Sequence, residues 1–188
     1  ELDKLAADYP LLSIDAKKLL TDYQKEKVVS LINKKGQLEN AKEEYEEALQ
    51  EVAEFKAEYD KYVGDEKYPA FLANWPAAYT TFSSYIVGAR VYYDVLSDLA
   101  KEMLKTEKER LDNLYNLSLE YADDAAAEQA ILDEVTDFIK RYSSAFMVSP
   151  ASVSIADKSL IELAIAAYGE LEEGPVKERL TMQIENLK

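Results

Sequence analysis

The chain has no cysteine and no histidine among its 188 residues. The lack of Cys excludes disulfides and thiol chemistry but leaves the compartment open, since a reducing cytosol and thiol-poor exported surface proteins both fit. The lack of His removes Ser-His-Asp and Cys-His nucleophiles, zinc and haem sites of the ordinary type, and the Glu-x-x-His di-metal bundle. Turn formers are scarce, with five glycines and five prolines. Few Val/Ile/Thr alternations are present, so the elements are long and the chain reads as all-α rather than as a sandwich or barrel. No apolar run approaches the ~20 residues that span a membrane. Cations are also in deficit: 22 Lys and Arg stand against 37 Asp and Glu, giving a formal charge of −15 spread along the chain. Such a surface repels phosphate backbones and anionic membranes, which argues against nucleic-acid partners and for cationic ones.

What is present is apolar periodicity. Between residues 38 and 63, Leu38, Ala41, Tyr45, Ala48, Val52, Phe55, Tyr59 and Tyr62 recur in steps of three and four, which places them on one helical face. At ~1.5 Å per residue the helix is roughly 39 Å long, and it is too polar between its stripes to be buried all round. It therefore needs a partner helix along one side. Its opposite face carries Glu39, Glu43, Glu44, Glu46, Glu47, Glu51, Glu54 and Glu58, to be read either as a solvated face or as an acidic docking strip.

Before this helix, Tyr9-Pro10 marks a helix boundary and Ser13 is a candidate N-cap. A helix from Ile14 should end at Lys34-Lys35-Gly36, where cations and then glycine suit a helix C-terminus. The short connection to Leu38 predicts an antiparallel hairpin, with one continuous helix through Gly36 as the other reading. After the central helix, Gly64-Asp65-Glu66-Lys67-Tyr68-Pro69 and then Asn74-Trp75-Pro76 break the pattern. From Tyr79 a second long stripe, Phe82, Ile86, Ala89, Tyr93, Leu96, Ala100 and Met103, supplies the natural partner. It is read as one helix to about Tyr121, with the polar 105–110 stretch projecting from the bundle and a hidden turn near Thr106 as the alternative. Asp123 or Asp124 can cap a helix bearing Ile131, Val135, Phe138, Ile139, Tyr142 and Phe146. Ser149-Pro150-Ala151 reads as a linker, and 157–171 followed by a helix from Gly174-Pro175 closes the chain as a helical pair.

The expected architecture is an elongated antiparallel helical bundle over 1–148, with the C-terminal helical pair, 149–188, as a small semi-autonomous module. The chain begins at Glu1 without an initiator Met and ends in a stretch that still reads as helix, which suggests a piece of something longer.

In the last unit, Val153-Ser154-Ile155-Ala156-Asp157-Lys158, then Ala164-Ile165-Ala166-Ala167-Tyr168-Gly169-Glu170-Leu171, Lys177 and Leu187 resemble the small helical modules of the FIVAR type. Ser13-Ile14-Asp15-Ala16-Lys17 followed by Tyr23 is a weaker echo. FIVAR-type modules occur in large secreted and wall-attached proteins of Gram-positive bacteria, as spacers or as protein- and sugar-associated modules. The resemblance implies an extracellular, cell-surface setting and a role as spacer, scaffold or adhesive surface. It carries over no functional residues.

The remaining chemistry is sparse. Glycoside hydrolysis needs one carboxyl with a raised pKa beside a second carboxylate, and nothing singles out such a pair. Asp65-Glu66 and Asp123-Asp124 lack the spacing of a calcium loop, and no glycine-rich phosphate loop occurs. No cofactor, no metal and no enzymatic activity are expected. The candidate ligand-binding stretch is the aromatic connector Tyr68, Phe71, Trp75 and Tyr79, which sets the only tryptophan between two prolines. Flat aromatic faces beside fixed turns suit a cell-wall polysaccharide or a protein hot spot; the competing reading has Trp75 fold back to plug the bundle end. The competing function is an intracellular adapter or secreted effector that binds basic proteins through its acidic helix faces.

Overall fold

The computed structural model describes residues 1–148 and 153–188. These are all-α, without a strand among the described residues, and form two compact units, Glu1–Leu49 and Gln50–Lys188. No described helix is long and apolar enough to cross a membrane. The expected Ser149-Pro150-Ala151 linker lies outside the described residues.

The first unit contains α1 (Leu2–Leu11), α2 (Ile14–Lys18) and most of α3 (Asp22–Val63). Helix α1 ends one residue after Pro10, whose missing N–H takes a hydrogen bond from the last turn, and the Leu12 N–H closes onto the Tyr9 carbonyl. Ser13 caps α2, its Oγ accepting from the Ala16 N–H at 3.1 Å. The helix expected to run from Ile14 stops after five residues and restarts at Asp22. A capping box causes the restart: Thr21 Oγ1 accepts from the Gln24 N–H at 3.2 Å, and Gln24 Oε1 accepts from the Thr21 N–H at 2.9 Å.

The hairpin expected at Gly36 does not form, and α3 continues straight through the glycine. Glycine inside a helix costs only about 1 kcal/mol relative to alanine, which many intact turns on either side outweigh. No glycine in the chain has the positive φ of a left-handed cap. Lys35 pairs with Glu39 across Gly36 and with Asp3 of α1 at 3.1 Å, so α1 lies against this part of α3. The apolar stripe is only half used: Leu38 stays 70% and Tyr45 48% exposed, whereas Phe55, Tyr59 and Tyr62 are buried.

The second unit holds the end of α3 and then α4 (Tyr68–Val95), α5 (Asp98–Met103), α6 (Lys105–Tyr121), α7 (Ala125–Arg141), α8 (Ser143–Phe146), α9 (Ile155–Glu170) and α10 (Pro175–Leu187). The expected break after Val63 is present as a turn, and Pro69 sits in the first turn of α4. The break expected at Asn74-Trp75-Pro76 is a bend instead, because helical structure runs through Pro76. In a straight helix, residues 68 and 90 would stand about 33 Å apart. Yet Tyr68 Oη accepts from Asn113 Nδ2 at 2.8 Å, while Arg90 donates to the adjacent Asp112 at 3.0 Å. Even with the reach of these side chains, the two contacts fit a bent α4 better than a straight one, and Pro76, with no N–H to give and a ring that crowds the preceding turn, is where it can bend.

The single helix expected from Tyr79 to Tyr121 is three helices. Leu96 is extended, Ser97 Oγ caps α5 by accepting from the Ala100 N–H, and a second interruption falls at Leu104, two residues before the alternative turn at Thr106. The polar stretch 105–110 does not project. Lys56 pairs with buried Glu107 at 2.8 Å, and Arg110 donates to the Val63 carbonyl at 2.7 Å while pairing with Asp65. Charge partners on the neighbouring helix make an all-polar turn a packing surface.

Asp124 caps α7 by accepting from the Ala126 and Ala127 N–H groups. Ser154 and Asp157 open α9, with Asp157 Oδ2 accepting from the Ser154 N–H at 2.8 Å and from its hydroxyl at 2.6 Å. Pro175 begins α10 after Gly174. Val87 and Val91 of α4, Leu132, Val135, Phe138 and Ile139 of α7, and Leu180 and Ile184 of α10 form one buried cluster. The last helix thus shares its core with α4 and α7.

Candidate functional site

The four connector residues follow different neighbours. Trp75 is fully buried, with Phe71 at 5.4 Å between ring centroids, so its faces are occupied by packing. Its Nε1 has no hydrogen-bond partner. Phe71 is half-buried and also meets Tyr62 at 5.2 Å and Phe82 at 5.7 Å. Tyr68 is half-buried, tied through its hydroxyl to Asn113 and lying 5.1 Å from the Arg110 guanidinium. Tyr79 sits against Tyr121 at 6.5 Å and 5.5 Å from the Arg179 guanidinium. Phe71 and Trp75 are brought together in an interior aromatic cluster. Tyr68 and Tyr79 stack on separate arginines.

The concave feature of the second unit lies elsewhere. The end of α3, the middle of α4, helix α10 and the 146–148 segment enclose a cavity of about 90 Å³, walled by Glu58, Tyr59, Tyr85, Gly88, Ile139, Phe146, Met147, Val148, Gln183, Asn186 and Leu187. It shares Glu58, Tyr59, Phe146, Met147 and Val148 with a groove of about 490 Å³ that adds Gln50, Ala53, Glu54, Ala57 and Tyr92. Together they make one cleft, of mixed polarity at the inner end and mostly apolar along the groove, with Glu54 and Glu58 among its residues.

Helix periodicity explains the groove side: Ala53, Glu54, Ala57 and Glu58 occupy neighbouring turns of α3. At the inner end Gly88 lets α10 approach, since a Cβ there would come within 2.8 Å of Gln183 Nε2. Gln183 is 7% exposed; its Nε2 donates to the Ser84 carbonyl at 3.1 Å, which fixes the amide orientation and leaves Oε1 without a partner. Asn186 Nδ2 donates to the Tyr85 hydroxyl at 2.7 Å. Burial, and then the Glu58 charge, holds the Tyr59 hydroxyl far above the ordinary phenol range, so it is neutral at all moderate pH. Tyr92, whose hydroxyl donates to Glu54 at 3.4 Å, is pushed up to about 12, first by burial and then by that carboxylate.

The cleft was not foreseen as a site. Tyr59 reads in the sequence as one stripe residue among eight, Glu58 as one of many surface acids, and Gln183 as nothing in particular. Gly88, a glycine inside an otherwise regular helical stripe, was the available sign that another element comes close. Among the described residues, no group of three or more acidic side chains is placed to hold a metal.

The fold and these surfaces define an acidic, all-α chain whose second unit carries a small cavity of mixed polarity beside a mostly apolar groove. No protein-family model, curated protein or solved structure matches the chain.

Proposed function

We propose that the chain is a non-enzymatic helical module of an extracellular, cell-wall-attached bacterial protein, serving as scaffold, spacer or adhesive surface. The observation that carries this reading is the exposed side of α3 in the first unit. Glu39, Glu43, Glu44, Glu46 and Glu47 are solvent-exposed there, and so are Leu38 and Tyr45 of the apolar stripe and Leu49. Large apolar side chains left exposed along an otherwise charged helix favour macromolecular contact over small-molecule chemistry. The likeness of 153–188 to FIVAR-type modules supports the cell-wall setting. Partners of this reading are proteins or cell-wall polysaccharide, not nucleic acid.

Retention of the purified chain on Gram-positive cell walls tests it. Retention that falls when Leu38 and Tyr45 are both changed to serine, with helicity unchanged, is the expected result. The acidic run itself favours a second reading, an adapter or secreted effector for basic proteins. Saturable, salt-sensitive binding to a basic protein, without wall retention, replaces the first reading by the second.

A further inference from the structure

Beyond the exposed side of α3, the cleft of the second unit has chemistry of its own. We propose that it is a binding site for an alkylammonium group, with the ammonium in the inner cavity and the alkyl chain along the groove.

The sign of the ligand follows from the charge of the wall. The Glu58 carboxylate is among the lining residues, and no lysine or arginine is. Each amide there has spent one of its two N–H donors, Gln183 on the Ser84 carbonyl and Asn186 on the Tyr85 hydroxyl. The neutral Tyr59 hydroxyl can accept as well as donate. A carboxylate or phosphate ligand would meet the Glu58 charge with no cation in the lining to offset it, whereas an ammonium brings three donors and a positive charge.

Size and polarity agree. About 10–15 Å³ of such space suffices for one water-sized group, so the cavity of about 90 Å³ has room for an ammonium and its first methylenes. The groove beyond is lined by Ala53, Ala57, Phe146, Met147 and the rings of Tyr59 and Tyr92, with Glu54 as its further carboxylate. That is a wall for methylenes, with a second anionic position. The rim already carries one ammonium: Lys61 Nζ lies 3.5 Å from Glu58 and 5.9 Å from the Tyr85 ring centroid, on an exposed side chain that a ligand can displace. A free polyamine and the lysine side chain of a partner protein offer the same group.

Calorimetric titration of the full chain distinguishes these cases, run in roughly 150 mM salt to screen the general acidity of the surface. The probes are n-butylamine, n-butanol, cadaverine and N-acetyl-lysine methylamide. Butylamine should bind saturably and at least about tenfold more tightly than butanol, since a charge-assisted hydrogen bond separates them. Glu58→Gln and Tyr59→Phe should each weaken butylamine by about tenfold. Glu43→Gln, in the first unit, should leave it unchanged. Glu58 is only half-buried, so its variant remains folded and informative even where the buried tyrosine variant does not. Tighter binding of cadaverine than of the lysine derivative identifies a free polyamine as the source, and the reverse order identifies a lysine side chain. The proposal is overturned by the absence of saturable butylamine binding up to roughly 10 mM, by butanol binding equally well, or by Glu43→Gln weakening butylamine as much as Glu58→Gln does. None of these results bears on wall retention through Leu38 and Tyr45, so the two readings fail separately.

Discussion

Arg179 of α10 and Glu128 of α7 form a buried ion pair, with Nη2 at 3.0 and 2.8 Å from the two carboxylate oxygens. The second terminal nitrogen, Nη1, donates to the Tyr79 carbonyl and the Ser83 hydroxyl, both at 3.3 Å. One side chain thereby joins α10, α7 and α4. Losing either partner strands a charge in the interior, so Arg179→Met or Glu128→Leu alone should lower stability by ~3–5 kcal/mol. The double variant, which removes both charges, should lose much less. Urea unfolding of the four proteins in a double-mutant cycle measures this coupling. Additive losses would mean that the two groups do not depend on each other.

Gly36→Ala separates a continuous α3 from a hairpin. A Cβ at this position meets nothing within 4 Å and φ is not positive, so alanine should stabilise the chain by ~0.5–1 kcal/mol. A glycine ending a helix in the left-handed conformation would give a loss instead. Thermal unfolding followed by circular dichroism reads the sign directly.

Trp75 should emit at short wavelength and resist iodide and acrylamide quenching, because none of it is exposed. Trp75→Ala should cost ~3–5 kcal/mol by leaving a cavity beside Phe71. Red-shifted, quenchable emission would show that the ring leaves the interior in solution.

Stability should fall in alkali before the interior tyrosines ionise. Burial raises Tyr59 and Tyr62 well above the unfolded value of 10.0, and Tyr92 to about 12. With folded values raised, the folded chain holds protons that the unfolded chain has released once the pH passes 10. Folding is thus unaffected below the unfolded value and increasingly disfavoured above it. The tyrosinate absorbance of the interior groups should appear together with loss of helicity rather than before it. A smooth titration of all tyrosines near pH 10, with the helices intact, would contradict their burial.

Local signals located the caps and most of the helical faces. Ser13, Asp124 and Gly174-Pro175 stand where their capping chemistry places them, and Phe55, Tyr59 and Tyr62 lie on the buried face that their spacing predicts. The Thr21-x-x-Gln24 box was as legible but stood inside an apolar pattern that ran through it. Gly36 and Pro76 read as breaks but lie inside helices. A breaker residue changes the local cost by a few kcal/mol at most, and a helix continues through it when the turns on both sides are held. The cleft was hidden for another reason. Gln183, Gly88 and Tyr59 are far apart in sequence, and a side chain's unpaired oxygen becomes visible only when its other atoms are seen to be committed.

The sequence by itself determined that the chain is helical, acidic and without histidine or thiol chemistry, because composition and three-four periodicity act residue by residue along the chain. Tertiary structure decided which half of the α3 stripe is buried, that α4 continues through Pro76, and that the all-polar turn at 105–110 is an interface. It also decided that Arg179 reaches Glu128. These outcomes depend on which surfaces meet: burial and charge pairing are properties of two elements in contact, and neither strand of sequence carries the other's position.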